Sequence, residues 1–249
     1  MNYIIYDLEF NQKSLNSTGE DTKSHSKLTF EILQIGALKL NENFETISAF
    51  NTLIKPTLYN TVHPYVENLT KITTEKVSSC ESFSKVYEDF IKFIGNNEVI
   101  LCVWGTTDIK EFIKNIKFHD LPISLLPKKY IDIQKYASKH FKIPKGSKIG
   151  LKNTVELLDI PFDDNFHDAY NDAYYTTEVF KLIYNDNMTP KTYNFNYTKR
   201  YNKPKDKVNT EALINQFEKM YNREMSVEEK TIIKLAYMMG NTNQFKTKP

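Results

Sequence analysis

The hydrophobic pattern changes period along the chain, and the changes outline its elements. Tyr3 to Leu8 alternates and is rich in β-forming residues, which predicts a buried strand at the start of the domain. Glu31 to Leu40 predicts a second strand and Thr46 to Ile54 a third, closed by Lys55-Pro56, so the three read as an antiparallel meander. Between the first two, Asn11 to Lys27 is polar and holds almost nothing apolar, as expected of a surface loop able to move. From Thr73 the spacing becomes helical. Thr74-Glu75-Lys76-Val77 offers capping chemistry, and Phe83, Val86, Tyr87, Phe90, Ile91 and Ile94 recur at helical intervals up to Gly95. Val99 to Trp104 is continuously apolar, the mark of a strand covered on both faces, and ends at Gly105. Then follow a helix over 108–116, a short edge strand over 130–133, a helix over 151–158 and a helix over 168–184. This order predicts an α/β fold with a mixed sheet flanked by helices.

Past this domain the composition shifts. Residues 187–208 are basic and rich in tyrosine and phenylalanine, with Pro190 and Pro204, and read as a linker. Thr210 to Tyr221 and Ser226 to Met239 then predict two amphipathic helices, the second with Ser226 and Glu229 placed as a capping box. The expected organisation is a domain over 1–186, a linker over 187–208 and a small helical extension over 209–249. The net charge of +2 hides an asymmetry: from Asn187 onward twelve Lys or Arg face six Asp or Glu, against 21 and 25 before it. A small positive total does not predict nucleic-acid binding by itself. The basic stretch fits a grip on single-stranded nucleic acid and a plain linker about equally.

At 249 residues and 40% hydrophobic, the chain can bury an ordinary core. No run of about twenty apolar residues is present to cross a bilayer, and the first residues lack the basic region of a secretory signal, so a cytoplasmic protein without membrane association is expected. Cys80 and Cys102 lie in separate elements without metal-ligand spacing and are expected as free thiols.

The chemistry is carried by three segments: Asp7-Leu8-Glu9-Phe10, Asp108 after Trp104-Gly105, and His167-Asp168-Ala169-Tyr170-Asn171-Asp172. Asp7 and Glu9 are two apart on a strand and share a face. Asp108 follows a buried strand, at the carboxyl end where ligands of open α/β sheets gather. Converging carboxylates repel one another and raise their own pKa values, a cost that hard divalent cations remove. Four negative charges match two such ions, which suits phosphodiester cleavage. His167, just ahead of the last helix, supplies a side chain able to take a proton near neutral pH and is the expected general base. The other histidines, His25, His63, His119 and His140, have no partner at ligand spacing. Trp104 reads as core, and Lys145-Gly146-Ser147-Lys148 lacks the ending of a phosphate-binding loop.

Asp7-x-Glu9, Asp108 and His167-x4-Asp172 together resemble the three exonuclease motifs of the DEDDh 3′–5′ exonucleases. The similarity extends over Phe30 to Ala37, Leu69 to Thr73 and Gly150 to Asn153, and so covers residues 1–186. It is greatest to the stand-alone histone-mRNA and small-RNA trimming enzymes and to bacterial sporulation-inhibitor-type exonucleases. The resemblance implies an RNase H-like three-layer fold, with Asp7, Glu9, Asp108 and Asp172 holding two Mg²⁺ or Mn²⁺ ions and His167 as base. It implies that Phe10, Leu33 and Gln34 contact the substrate, a single-stranded RNA or DNA 3′ end, with RNA preferred, released as nucleoside 5′-monophosphates. The 209–249 extension matches no family module, and its protein partner is unassigned. Three rivals remain at this point: a polymerase-associated proofreading exonuclease, a silent nucleic-acid-binding module on the same scaffold, and an RNase H-like endonuclease.

Overall fold

The computed structural model describes residues 1–12, 28–95, 98–163, 165–195 and 209–241. Most of the expected polar loop, with His25, and the expected linker from 196 to 208 lie outside the described residues. The chain divides into two compact units, 1–196 and 197–249.

The first unit is built on a six-stranded sheet. β1 (Asn2–Gln12), β2 (Phe30–Leu40) and β3 (Thr46–Leu53) form the expected antiparallel meander. β4 (Val99–Val103) and β5 (Lys129–Asp132) continue the sheet parallel to β1, and β6 (Lys191–Thr192) closes it antiparallel to β5, giving the order β3-β2-β1-β4-β5-β6. All five residues of β4 are buried, as its unbroken apolar run requires. The helices are α1 (Pro64–Thr70), α2 (Thr74–Ser78), α3 (Phe83–Ile94), α4 (Thr107–Phe118), α5 (Ile133–His140), α6 (Leu151–Leu157) and α7 (Ala169–Ile183).

Two cores sandwich the sheet. On one face Ile4, Tyr6 and Leu8 of β1 pack with Phe83, Phe90 and Phe112 of α3 and α4. On the other, Tyr3 and Ile5 pack with Val155, Val179 and Phe180 of α6 and α7. Helices on both faces of a mixed sheet make the predicted three layers.

The differences from expectation have local causes. The helical pattern from Thr73 is two helices, because Thr73 caps α2 through Lys76 N–H and Ser82 caps α3 afresh through Lys85 N–H. α5 was hidden because Asp132 both ends β5 and caps the helix through Lys135 N–H. α1 is seven residues long and begins with Pro64 after the cap His63, too short to show a period. The domain also runs past 186. Met188 and Phe195 are buried in the two cores, and β6 gives β5 a neighbour on the side where an edge was expected.

The second unit consists, among the described residues, of α8 (Thr210–Tyr221) and α9 (Val227–Asn241). Asn209 caps α8, its Oδ1 accepting from Glu211 N–H and Ala212 N–H. The Ser226 and Glu229 capping box forms as predicted, with Ser226 N–H donating to Glu229 and Glu229 N–H to Ser226 Oγ. Among the described residues no helix is long and apolar enough to cross a membrane.

Candidate active site

β1 sends odd and even residues to opposite faces, so Asp7 and Glu9 continue the face of Tyr3 and Ile5, toward the first turn of α7. Asp7 stands opposite Gly36 and Glu9 opposite Gln34 on β2. The register slips immediately after Glu9, leaving Leu33 as the extra residue of a β-bulge. Bulges commonly re-aim side chains next to active sites. This one is held from α4: Asn115, wholly buried, accepts from Ile32 N–H at 3.2 Å and donates to the Phe30 carbonyl at 3.0 Å.

Gly36 lets the last segment approach. A Cβ at this position would fall onto the backbone of Ala169 and Tyr170, so glycine is the residue that admits α7 to the sheet beside Asp7. Asp168 caps α7, its Oδ1 accepting from Tyr170 N–H and Asn171 N–H at 3.1 and 3.0 Å. Asp172 lies in the first turn. His167 adopts φ 67°, in the left-handed region, and its N–H donates to Asp172 Oδ2 at 3.2 Å. Its exposed side chain meets Glu9 and Asp172, with one potential ligand atom from each within 4.8 Å of the other two. Asp108 reaches the cluster from the opposite layer, in the first turn of α4, after Gly105 turns the chain out of β4 at φ 88°.

The carboxylates are electrostatically coupled. Burial, then the charges of Asp108, Asp172 and Glu9, push Asp7 well above the ordinary carboxylate range. Burial pushes Glu9 up to about 8, with Asp172, Asp108 and Asp168 adding to the effect. Asp108 rises to about 7 through burial, helped by Asp172 and Glu111. Asp172 also rises to about 7 through burial and the nearby Asp168, against the hydrogen bond from His167. Asp172 Oδ1 is buried without a hydrogen-bond partner. A set of hard oxygen donors that repel one another and include such an orphan fits divalent cations such as Mg²⁺ or Mn²⁺.

The structure thus brings Asp7, Glu9, Asp108, His167 and Asp172 to one place, from segments up to 165 residues apart. The residues expected at the substrate fare differently. Phe10 is half-buried beside Phe30, ring centroids 6.2 Å apart. Leu33 is wholly buried and packs with Val62, Val66, Ile72 and Val77. Gln34 is 3% exposed, with its amide engaged by α7. A cavity of about 590 Å³ borders the cluster at Gln34 and Asp168, with Asn51, Lys71 and Lys76 in its lining, but it contains none of the five clustered residues. Sequence reasoning overlooked Asp168, Gly36 and Asn115. Only Asp168 carried a signal, an aspartate immediately before a helix.

Carboxylates from β1, α4 and α7 gathered with a histidine at one end of an α/β sheet are a donor set suited to metal-assisted phosphodiester hydrolysis. The chain belongs to the exonuclease family of the RNase T type, whose sequence profile matches residues 4–180. It is 26% identical over 199 residues to the DNA polymerase III subunit epsilon of Buchnera aphidicola subsp. Schizaphis graminum, covering 74% of this chain and 81% of that one. Among solved structures it resembles the nuclease domain of 3′hExo, a DEDDh family member bound to rAMP, with 20% identity, a TM-score of 0.63 and coverage of 78% and 96%. It also resembles E. coli Exonuclease I in complex with a dT13 oligonucleotide, with 16% identity and a TM-score of 0.56, over 73% of this chain and 40% of that one. The mixed sheet with its flanking helices is the RNase H-like fold of these enzymes.

Proposed function

We propose that this protein is a metal-dependent 3′–5′ exonuclease acting on single-stranded nucleic acid, RNA in preference to DNA, and releasing nucleoside 5′-monophosphates. The observation that carries the reading is the convergence of four carboxylates and His167 at one end of the sheet. Asp7, Glu9, Asp108 and Asp172 would hold two divalent ions, Mg²⁺ or Mn²⁺, which when bound supply Lewis-acid polarisation of water and phosphate. The ions also offset the negative potential that would otherwise repel a polyanion. His167 accepts the proton of the attacking water as the new phosphorus–oxygen bond forms and the bond to the 3′ oxygen breaks. The products are a nucleoside 5′-monophosphate and a strand one residue shorter with a free 3′ hydroxyl. The exposed side of His167 leaves room for water and a strand end.

A proofreading role beside a polymerase is the second reading, favoured by the likeness to a polymerase III subunit epsilon. Both are tested by incubating wild-type and Asp7→Asn protein with 3′- and 5′-labelled single-stranded RNA and DNA, with Mg²⁺, Mn²⁺ or chelator. Metal-dependent shortening from the 3′ end, faster on RNA and absent in the variant, is expected. Cutting within strands, or none at all, would refute the exonuclease reading; preference for mismatched DNA ends would favour the proofreading one.

A further inference from the structure

We infer that Gln34 is a positioning residue, which sets the α7-borne half of the site by clamping the first turn of that helix to β2; the inference rests on the exonuclease reading. Its side-chain amide is fully used. Nε2 donates to Asp168 Oδ2 at 2.8 Å and to Asn51 Oδ1 at 3.0 Å, and Oε1 accepts from Ala169 N–H at 3.1 Å. Asp168 in turn caps the helix with its other oxygen. Ala169 is wholly buried, and its backbone also rests against Gly36, so β2 holds the start of α7 at two points two residues apart.

What hangs on this clamp is the reacting apparatus. His167 precedes Asp168 directly, Asp172 lies one turn beyond it, and the two are tied by the His167 N–H bond. Across the ladder, Gln34 pairs with Glu9, the third member of the group that His167 and Asp172 complete. One amide therefore fixes the spacing between the β1 carboxylates and the α7 residues facing them. Gln34 reaches the reaction only through Asp168 and Ala169. Residues that orient ligands in this way typically change metal affinity or activity by about 10–100-fold when lost.

The bond polarity supplies a specific test. Gln34→Glu sets a carboxylate against the Asp168 carboxylate, and Asp168→Asn sets an amide against the Gln34 amide. Combined, the two substitutions restore the bond between positions 34 and 168 with donor and acceptor exchanged and leave a carboxylate oxygen to accept from Ala169 N–H, while the Asn51 amide turns over to donate where its oxygen now accepts. Wild type, both single variants and the double variant are compared on a short single-stranded RNA at saturating Mn²⁺, below their melting temperatures. Each single variant is expected to lose about 10–100-fold in kcat with KM within about threefold, and the double to recover to within about threefold of wild type. A structural role alone would move melting temperature without this split or this recovery. A single variant with wild-type kcat, or a double variant no better than the weaker single, would overturn the inference. Gln34→Met, similar in volume and without the amide, replaces Gln34→Glu if that variant does not fold. Mn²⁺ affinity, measured by calorimetry in the same four proteins, is expected to fall and recover in parallel. That readout still tests the clamp if wild type cuts nothing, an outcome that sinks the exonuclease reading alone.

Discussion

Removing one carboxylate from the cluster should stabilise the metal-free protein, and only at higher pH. Asp172 titrates at about 7 in the fold against an ordinary 3.8, and Glu9 at about 8 against 4.5. Each carboxyl therefore binds its proton more tightly folded than unfolded. The stability this provides is complete below about pH 4 and disappears as pH rises through about 7 to 8. At roughly 1.36 kcal/mol per tenfold change, the Asp172 displacement alone corresponds to about 4 kcal/mol. Because Asp7, Glu9 and Asp108 share the repulsion, a single neutral substitution should recover about half of that. Two kcal/mol moves the melting temperature of a domain this size by about 4–8 °C.

Asp172→Asn keeps the side-chain volume and an acceptor for His167 N–H, so it isolates the charge. In chelator, thermal melts should show wild type losing stability from pH 5 to pH 8 and the variant losing less. The variant should melt about 5 °C above wild type at pH 8 and close to it at pH 5. Adding Mn²⁺ should reverse the order at pH 8, because ions that bind the native state stabilise it and require deprotonated ligands. A metal-free wild type whose melting temperature is flat between pH 5 and 8, or a variant equally lowered at both, would refute the argument that burial and mutual repulsion hold these carboxyls in their neutral form.

Gly36→Ala should displace α7, since its Cβ meets the Ala169 and Tyr170 backbone; a loss of about 1–3 kcal/mol by denaturant titration and at least a tenfold fall in kcat are expected. His167→Ala should lower kcat by about 10²–10⁴-fold while leaving Mn²⁺ affinity nearly unchanged by calorimetry, whereas an affinity loss like that of Asp172→Asn would make it a ligand. Lys71→Glu with Lys76→Glu, at the cavity bordering the site, should raise KM for long strands and flatten its salt dependence, with kcat little changed. Truncation after residue 196 should leave the melting temperature of the first unit within a few degrees, whereas truncation after 186 removes buried Met188 and Phe195 and should lower it by about 10 °C.

The sequence showed most of this fold because its main elements obey one period each. β1, β2 and β4 are long or uniformly apolar, α3 and α7 are several turns long, and all five are found where the pattern put them. The missed elements break that condition. α5 shares Asp132 with the preceding strand, α1 is under two turns, and β6 is two residues that only pairing with β5 reveals. In the site, charge carried the signal: carboxylates at strand and helix ends stand out in a chain, and their convergence follows from the topology. What stayed hidden were residues whose importance is purely spatial. Gly36 matters because a helix backbone 133 residues later lies against it, and Asn115 because it takes the Ile32 N–H and the Phe30 carbonyl of a distant strand beside the bulge. Neither has a local pattern that distinguishes it from any other glycine or asparagine.

That division explains how a self-repelling site persists. The four carboxylates are held by backbone held from elsewhere: β1 is clasped between two cores, α4 is tied to β2 through Asn115, and α7 is pinned at Gly36 and Gln34. None of these supports depends on a metal, so the fold should form before the ions bind and pay for the repulsion from its buried apolar area. Yet two of the supports, Gly36 and Gln34, are on the same stretch of β2, directly across from Asp7 and Glu9. A change in that strand should therefore disturb the spacing of β1 and α7 residues together, whereas a change behind α4 should displace Asp108 alone. The two classes of variant separate in their metal dependence: the first should weaken metal binding by Glu9 and Asp172, the second should leave those two carboxylates in place and lower turnover through Asp108.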